Sequence, residues 1–110
     1  MTNIELIHLN GGFVIECRGH AGFAGRGNDI VCAGVSALCA ALLERMRTLS
    51  AENSVKIESC HIADGEFCLE ISYPEDKASA ITARSSLETV AEGLRAIAGE
   101  YPENVNFEEQ

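Results

Sequence analysis

A chain of 110 residues, 46% of them hydrophobic, is long enough for one folded domain with a single core, and we expect residues 1–110 to form it. Seventeen acidic against eight basic side chains give a net charge of −9, which argues against direct binding to nucleic acid and favours a basic protein or peptide as the partner. The longest apolar run, residues 30–43, is interrupted by Ser36 and is shorter than the ~18 residues that a membrane span requires, so no membrane partner is expected.

The first two predicted strands form a hairpin. Residues 3–9 and 13–17 are rich in β-branched and apolar side chains, and the Asn10-Gly11-Gly12 sequence between them is typical of a tight hairpin turn. A helix over about residues 30–50 follows, because apolar side chains recur there at helical spacing. The apolar stripe of this helix consists of Val31, Val35, Leu38, Leu42, Met46 and Leu49.

A second hairpin is predicted after this helix. Residues 55–62 and 67–73 flank Asp64-Gly65, which is another tight-turn pair. In the later strand apolar side chains alternate with polar ones, so one face of the strand is expected to be buried. The apolar set consists of Phe67, Leu69, Ile71 and Tyr73.

A second amphipathic helix is predicted after Pro74, ending near Gly99 and Pro102, and Val105 and Phe107 indicate a short last strand. The apolar stripe of the second helix consists of Ile81, Leu87, Val90, Ala91, Leu94, Ile97 and Ala98. The order ββαββα(β), with hairpins rather than crossover connections, predicts an α+β fold in which two helices pack beside a mostly antiparallel sheet.

The first helix carries almost no charge before Glu44 and is rich in small residues, which allow another backbone to approach closely. The small residues are Ala33, Gly34, Ala37, Ala40 and Ala41. The sheet and the second helix are one possible cover for this surface, and a second copy of the chain, giving a homodimer, is the other.

The cysteines indicate a reducing, cytoplasmic setting. Five cysteines lack the regular spacing of a secreted disulfide framework, and the opening sequence MTNIELIHLN has no features of an export signal. We interpret three of them as packing residues and two of the histidines as ordinary solvated side chains; these are Cys39, Cys60 and Cys68, and His8 and His61. No metal site is expected, because Cys17, His20 and Cys32 have no fourth ligand.

The segment GHAGFAGRGNDIVCAGVSAL contains the strongest candidate site. If Asp29 caps the first helix, Cys32 is its third residue, where the positive helix end favours a thiolate and hence a nucleophile. A loop with three glycines separates His20 from the helix, so the ring can return to the thiol as a general base and the loop can act as a lid.

Two side chains and the helix start could support this pair. Ser36 lies four residues after Cys32 on the same helix face, and its hydroxyl could donate to the thiolate or to the substrate. Asp29 could either cap the helix or orient His20, and these two roles compete. The first-turn amides, that of Cys32 included, are candidate donors to an oxyanion.

The motif itself resembles a known family. GHAG, followed twelve residues after its histidine by the cysteine of NDIVCAGVSAL, is similar to the ribosomal-processing cysteine proteases, the Prp family of bacteria. The likeness extends over nearly the whole chain, from the leading hairpin to the closing EYPENVNFEEQ. In the loop, Phe23 and Arg26 stand where relatives often carry polar or acidic residues.

The resemblance implies a small α+β homodimer that needs no cofactor. It implies a catalytic dyad of His20, as general base, and Cys32, as nucleophile, with Gly19, Asp29 and Ser36 at the remaining motif positions. The implied activity is that of a cysteine endopeptidase that removes the N-terminal extension of large-subunit ribosomal protein twenty-seven during ribosome maturation. Cleavage in the family follows an apolar, Phe-rich stretch and leaves a basic product, which suits an acidic enzyme.

Two other hypotheses remain open. The first is a non-catalytic binding or assembly factor whose acidic surface holds a basic ribosomal protein, and it predicts that Cys32→Ser leaves the cellular role unchanged. The second is a small redox or acyl-transfer enzyme that uses Cys32, although no second cysteine stands at the spacing that would resolve a disulfide.

Overall fold

The structure is a computed structural model that describes all residues from 1 to 110. It confirms the predicted order of five strands and two helices, with each boundary within about three residues of its expected place. The elements are β1 (Thr2–Leu9), β2 (Gly12–Arg18), α1 (Ile30–Ala51), β3 (Lys56–Ala63), β4 (Glu66–Ser72), α2 (Lys77–Glu100) and β5 (Val105–Glu109).

The sheet has the order β3-β4-β2-β1-β5. Both predicted hairpins form antiparallel pairs, and β2 pairs with β4 to join them. The last strand departs from the expectation of hairpin connections only, because α2 crosses over the sheet and sets β5 parallel to β1 at the edge. A long helix between two strands gives the chain the length that a parallel connection requires.

Both helices pack on one face of this sheet around a single apolar core. Glycines bring them together, since Gly34 lies against the Ile97 side chain and Gly93 against that of Leu38. The strands supply the other side of the core with alternate residues, which are Ile4, Leu6, Phe13, Ile15, Cys17, Leu69 and Ile71. Neither helix combines the length and the apolar character that crossing a membrane would demand.

One detail of the predicted helix faces is wrong. Ile81, assigned to the apolar stripe of α2, is 64% exposed, because the helix period places the fully buried Ala83 and Leu87 on the core side and turns Ile81 away from it. The small-residue surface of α1 is only partly covered, since Gly34 and Leu38 contact α2 while the four alanines do not become buried. These exposed alanines are Ala33, Ala37, Ala40 and Ala41.

Because β2 and β4 are in close contact, a side chain added at Gly12 in the first hairpin is expected to destabilise the protein. A Cβ atom at Gly12 would lie 1.9 Å from the Ile71 carbonyl oxygen, a backbone atom that cannot move without breaking the sheet. We expect Gly12→Ala to lower the free energy of unfolding by more than about 1 kcal/mol, measured by urea denaturation. Gly11→Ala is the matched control, because nothing lies within 4 Å of its Cβ position. Equal stability of the two variants would contradict the close approach.

Candidate active site

An open cleft lies between α1 and the β3–β4 hairpin, where no second helix covers the sheet. It has a volume of about 900 Å³, and the loop of residues 19–29 closes one end of it. Its lining includes the two predicted catalytic residues, His20 and Cys32, and the predicted supporting residue Ser36. Apolar groups from the helix and the hairpin also line it; these are Leu43, Ile62 and Phe67. His20, Cys32 and Ser36, predicted from the sequence to act together, therefore line the same cleft, and no hydrogen bond joins their side chains.

Asp29 caps α1 and also ties the loop to it. Its Oδ1 accepts a hydrogen bond from the Cys32 amide at 2.9 Å, and its Oδ2 accepts one from the Phe23 amide at 3.0 Å. The hydrogen bond from the Cys32 amide, with others from the loop and the first turn, lowers the pKa of this carboxyl. Of the two roles that the sequence left open for Asp29, the structure shows helix capping.

The Cys32 thiol is half-buried at the third residue of α1. Because the Cys32 amide is bonded to Asp29, the expectation that this amide serves an oxyanion is wrong. The backbone donor aimed at the sulfur is the Ala21 amide, 3.5 Å from Sγ. Asn104 fixes this donor by a 3.0 Å hydrogen bond from Nδ2 to the Ala21 carbonyl, and no signal in the local sequence points to either residue.

His20 directly follows Gly19 at the end of β2. Gly19 has a φ of +93° and its Cβ position would lie 2.4 Å from the Met1 carbonyl oxygen, so only glycine fits there. The Gly19 amide donates to the Gly65 carbonyl at 2.8 Å, which holds the end of β2 against the β3–β4 turn. The His20 ring is 60% exposed, and its Nε2 lies 3.9 Å from Asp64 Oδ1.

The remaining loop and helix residues frame the entrance of the cleft. Ser36 is exposed one turn after Cys32 and lines the same cleft, as its spacing predicts. The Phe23 ring packs edge-on against Tyr101 at a centroid distance of 5.4 Å and is 45% exposed. The loop is therefore anchored at Phe23 and at Asp29.

The other cysteines differ in their surroundings. Cys17 and Cys39 are buried with their sulfurs 3.4 Å apart, and this contact together with burial raises the pKa of the Cys17 thiol. Burial and the nearby Glu16 carboxylate raise the pKa of Cys68. The interpretation of Cys60 as a packing residue is wrong, because this cysteine is exposed on the edge strand β3, where no helix covers the sheet.

The two outlying histidines form ion pairs on the surface. His8 lies 2.7 Å from Glu109, and His61 lies 3.2 Å from Glu66. His8, Glu88 and Glu109 present potential metal ligands within 4.8 Å of one another. Arg95 contacts both glutamates, at 2.8 Å from Glu109 and 3.8 Å from Glu88, so its guanidinium supplies the positive charge there.

A cysteine at a capped helix start, in an open peptide-sized cleft that a histidine also lines, is compatible with a cysteine-dependent hydrolase. Residues 1–106 match the model of the family described as cysteine protease Prp, and the chain belongs to this family. The protein is accordingly a cysteine protease.

Solved structures share the fold. A Prp structure from Staphylococcus aureus, described as an essential ribosomal processing protease with a covalently linked product peptide, has a TM-score of 0.75 at 24% identity, with 100% of both chains covered. The same protease with a substrate peptide gives a TM-score of 0.70 at 24% identity, again over 100% of both chains. SMU.848 from Streptococcus mutans gives 0.72 at 25% identity, covering 100% of this chain and 94% of the other. No curated protein matches the chain.

Proposed function

We propose that residues 1–110 act as one catalytic domain that removes the N-terminal extension of large-subunit ribosomal protein twenty-seven, with Cys32 as nucleophile and His20 as general base. The observation that carries this proposal is a peptide-sized cleft that both residues line. Membership of the cysteine protease Prp family and the ribosomal processing role described for the Staphylococcus aureus relative support the same substrate class.

The chemistry follows from the positions of these groups. His20 takes the thiol proton, and the Cys32 sulfur attacks the scissile carbonyl carbon to form a tetrahedral intermediate. As the C–N bond breaks, the imidazolium gives its proton to the leaving amine, and the acyl group remains on sulfur as a thioester. Water, deprotonated by His20, then hydrolyses the thioester and restores the thiol. The Ala21 amide, which already donates to the sulfur, is our candidate backbone donor to the oxyanion that forms on the scissile carbonyl oxygen.

The dimensions of the cleft suit an extended peptide. Its helical wall runs from Cys32 to Arg47, a length of about 22 Å, which matches about six residues of extended chain. The wall opposite carries Ile62, which is 59% exposed, and the half-buried Phe67. Apolar side chains of a Phe-rich extension would bury this surface on binding.

Charge supports the same kind of substrate. The net charge of −9 favours association with a basic ribosomal protein, and we place the reaction in the cytoplasm, where such a protein is made. This acidic charge is equally compatible with a factor that binds the ribosomal protein without cutting it. The thiol and histidine in the cleft, together with membership of the cysteine protease Prp family, favour cleavage.

The test uses ribosomal protein twenty-seven carrying its extension, incubated with the enzyme and followed by mass spectrometry of the products. We expect one cut after the apolar stretch, with the basic body of the protein released intact. A control substrate in which the phenylalanines before the cut are replaced by serine should be processed much more slowly. Binding without any cleavage would favour the assembly factor instead.

We also propose that two copies associate through the exposed alanine surface of α1 at Ala37 and Ala41, while Ala33 and Ala40, at the edge of this surface, line the cleft. These short side chains allow a second helix to approach closely. Ala37→Glu would place a charge in that contact, so we expect it to convert a dimer to a monomer in sedimentation equilibrium, with Ala37→Ser as the matched control. An unchanged dimer in Ala37→Glu would show that this surface faces water.

A further inference from the structure

We propose that Asp64, in the turn between β3 and β4, is a positioning residue for His20, holding the ring by its Nε2 side so that Nδ1 serves the Cys32 thiol. This inference rests on the proposed dyad. It adds a carboxylate from a distant hairpin to a pair that the local sequence presents as histidine and cysteine alone.

The contact is set by the backbone of the turn. The Gly65 carbonyl accepts a hydrogen bond from the Gly19 amide at 2.8 Å, next to the histidine. A Cβ atom at Gly65 would lie 2.9 Å from His20 Nε2, and Gly65 has a φ of +70°. The turn therefore lies directly against the imidazole ring, and the absence of a side chain at Gly65 leaves room for it.

The Asp64 carboxylate divides its two oxygens between two partners. Oδ1 lies 3.9 Å from His20 Nε2, which is an ion-pair distance, and Oδ2 lies 3.7 Å from Arg26 Nη1 of the glycine-containing loop. A carboxylate on one ring nitrogen favours a proton there and leaves the other nitrogen as the acceptor. Asp64 thereby selects the tautomer that can take the thiol proton.

The charged groups around His20 come from three elements. The turn supplies the Asp64 carboxylate, the loop supplies the Arg26 guanidinium, and α1 supplies the Cys32 thiol together with Asp29, whose oxygens are bonded to backbone amides. At the far end of the cleft Glu44 and Arg47 pair with each other. The negative Asp64 carboxylate stabilises the imidazolium of His20, whereas the positive Arg26 guanidinium offsets part of the carboxylate charge. Removing Asp64 and removing Arg26 should therefore shift the pH profile of cleavage in opposite directions.

The experiment compares pH profiles of peptide cleavage for Asp64→Asn and Arg26→Gln. Loss of the carboxylate should move the alkaline limb of the profile to lower pH, because the ion pair that favours the protonated ring is gone. It should lower kcat about three- to tenfold, with a smaller change in KM. Arg26→Gln should move the same limb to higher pH, and Asp64→Glu should restore most of the lost kcat.

Glu66→Gln is the matched control, because Glu66 is a nearby carboxylate that pairs with Arg18 and His61 rather than with His20. Nitrogen-15 NMR of the His20 ring should show the Nε2-protonated tautomer in the native enzyme and a mixture in Asp64→Asn. An unchanged limb and tautomer in Asp64→Asn, or an equal shift in Glu66→Gln, would overturn the positioning role while leaving the dyad intact. Full activity of a Cys32→Ala enzyme would instead overturn the proposed function itself.

Discussion

Replacing Cys32 by alanine should abolish cleavage of the ribosomal protein while the domain stays folded. No other thiol in the chain lines the cleft at a helix start with a backbone amide directed at its sulfur. Removal of a covalent nucleophile costs about a thousandfold or more in rate. Because Cys32 is only half-buried, the variant should lose less than about 2 kcal/mol of stability. Product formation by mass spectrometry and the urea midpoint together measure the two effects.

Cys60→Ala is the control for this experiment, since Cys60 is exposed on β3. It should cleave at the native rate. In a Cys60→Ser background, iodoacetamide at neutral pH should label Cys32 first, because Cys17 and Cys39 are buried, and burial and the Glu16 carboxylate raise the pKa of Cys68. Cleavage by Cys32→Ala, or faster labelling of Cys17 in the folded protein, would remove Cys32 from its assigned role.

His20→Ala should lower kcat/KM by about a hundredfold or more and change the shape of the pH profile. For the native enzyme we expect a bell-shaped dependence of kcat/KM on pH. The rate rises as the reactive thiolate forms and falls when the imidazole can no longer protonate the leaving amine. Without the ring, the profile should keep the rising limb of thiol ionisation and lose the falling limb.

In the same assay, Ser36→Ala tests a group that can assist the reaction but does not itself titrate. The hydroxyl faces the cleft and does not change charge in this pH range, so its removal should slow turnover less than loss of Cys32 and leave the bell in place. A His20→Ala enzyme with native rate and native profile would show that the helix start alone activates Cys32.

Much of the fold could be predicted because its signals are local. The Asn10-Gly11 and Asp64-Gly65 turns and the helical spacing of α1 each act within a few residues. The pairing of β2 with β4 and the parallel place of β5 depend on which distant segments meet, and alternation within a strand does not encode that. The exposure of Ile81 was accessible from the sequence, because the helix period turns this residue about 120° away from the buried Leu87.

In the candidate site, too, some residues could be predicted from the local sequence, and others are brought together only by the fold. Capping by Asp29 was accessible from the sequence, because a cap and the amide that it accepts are three residues apart. The placement of Ser36 in the cleft followed equally from the helix period. Asp64 and Asn104 reach the site from distant parts of the chain, so only the assembled sheet brings them near His20 and Ala21.

The buried sulfur pair of Cys17 and Cys39 has a consequence for measuring the motions of this enzyme. One thiol belongs to β2 and the other to α1, and both lie beneath the cleft. Their side chains are only 6% and 4% exposed, so a thiol reagent needs a local opening to reach them, and their modification rate in a background lacking Cys32, Cys60 and Cys68 reports that opening. Comparing that rate with and without a bound peptide would give the free energy by which substrate suppresses the opening.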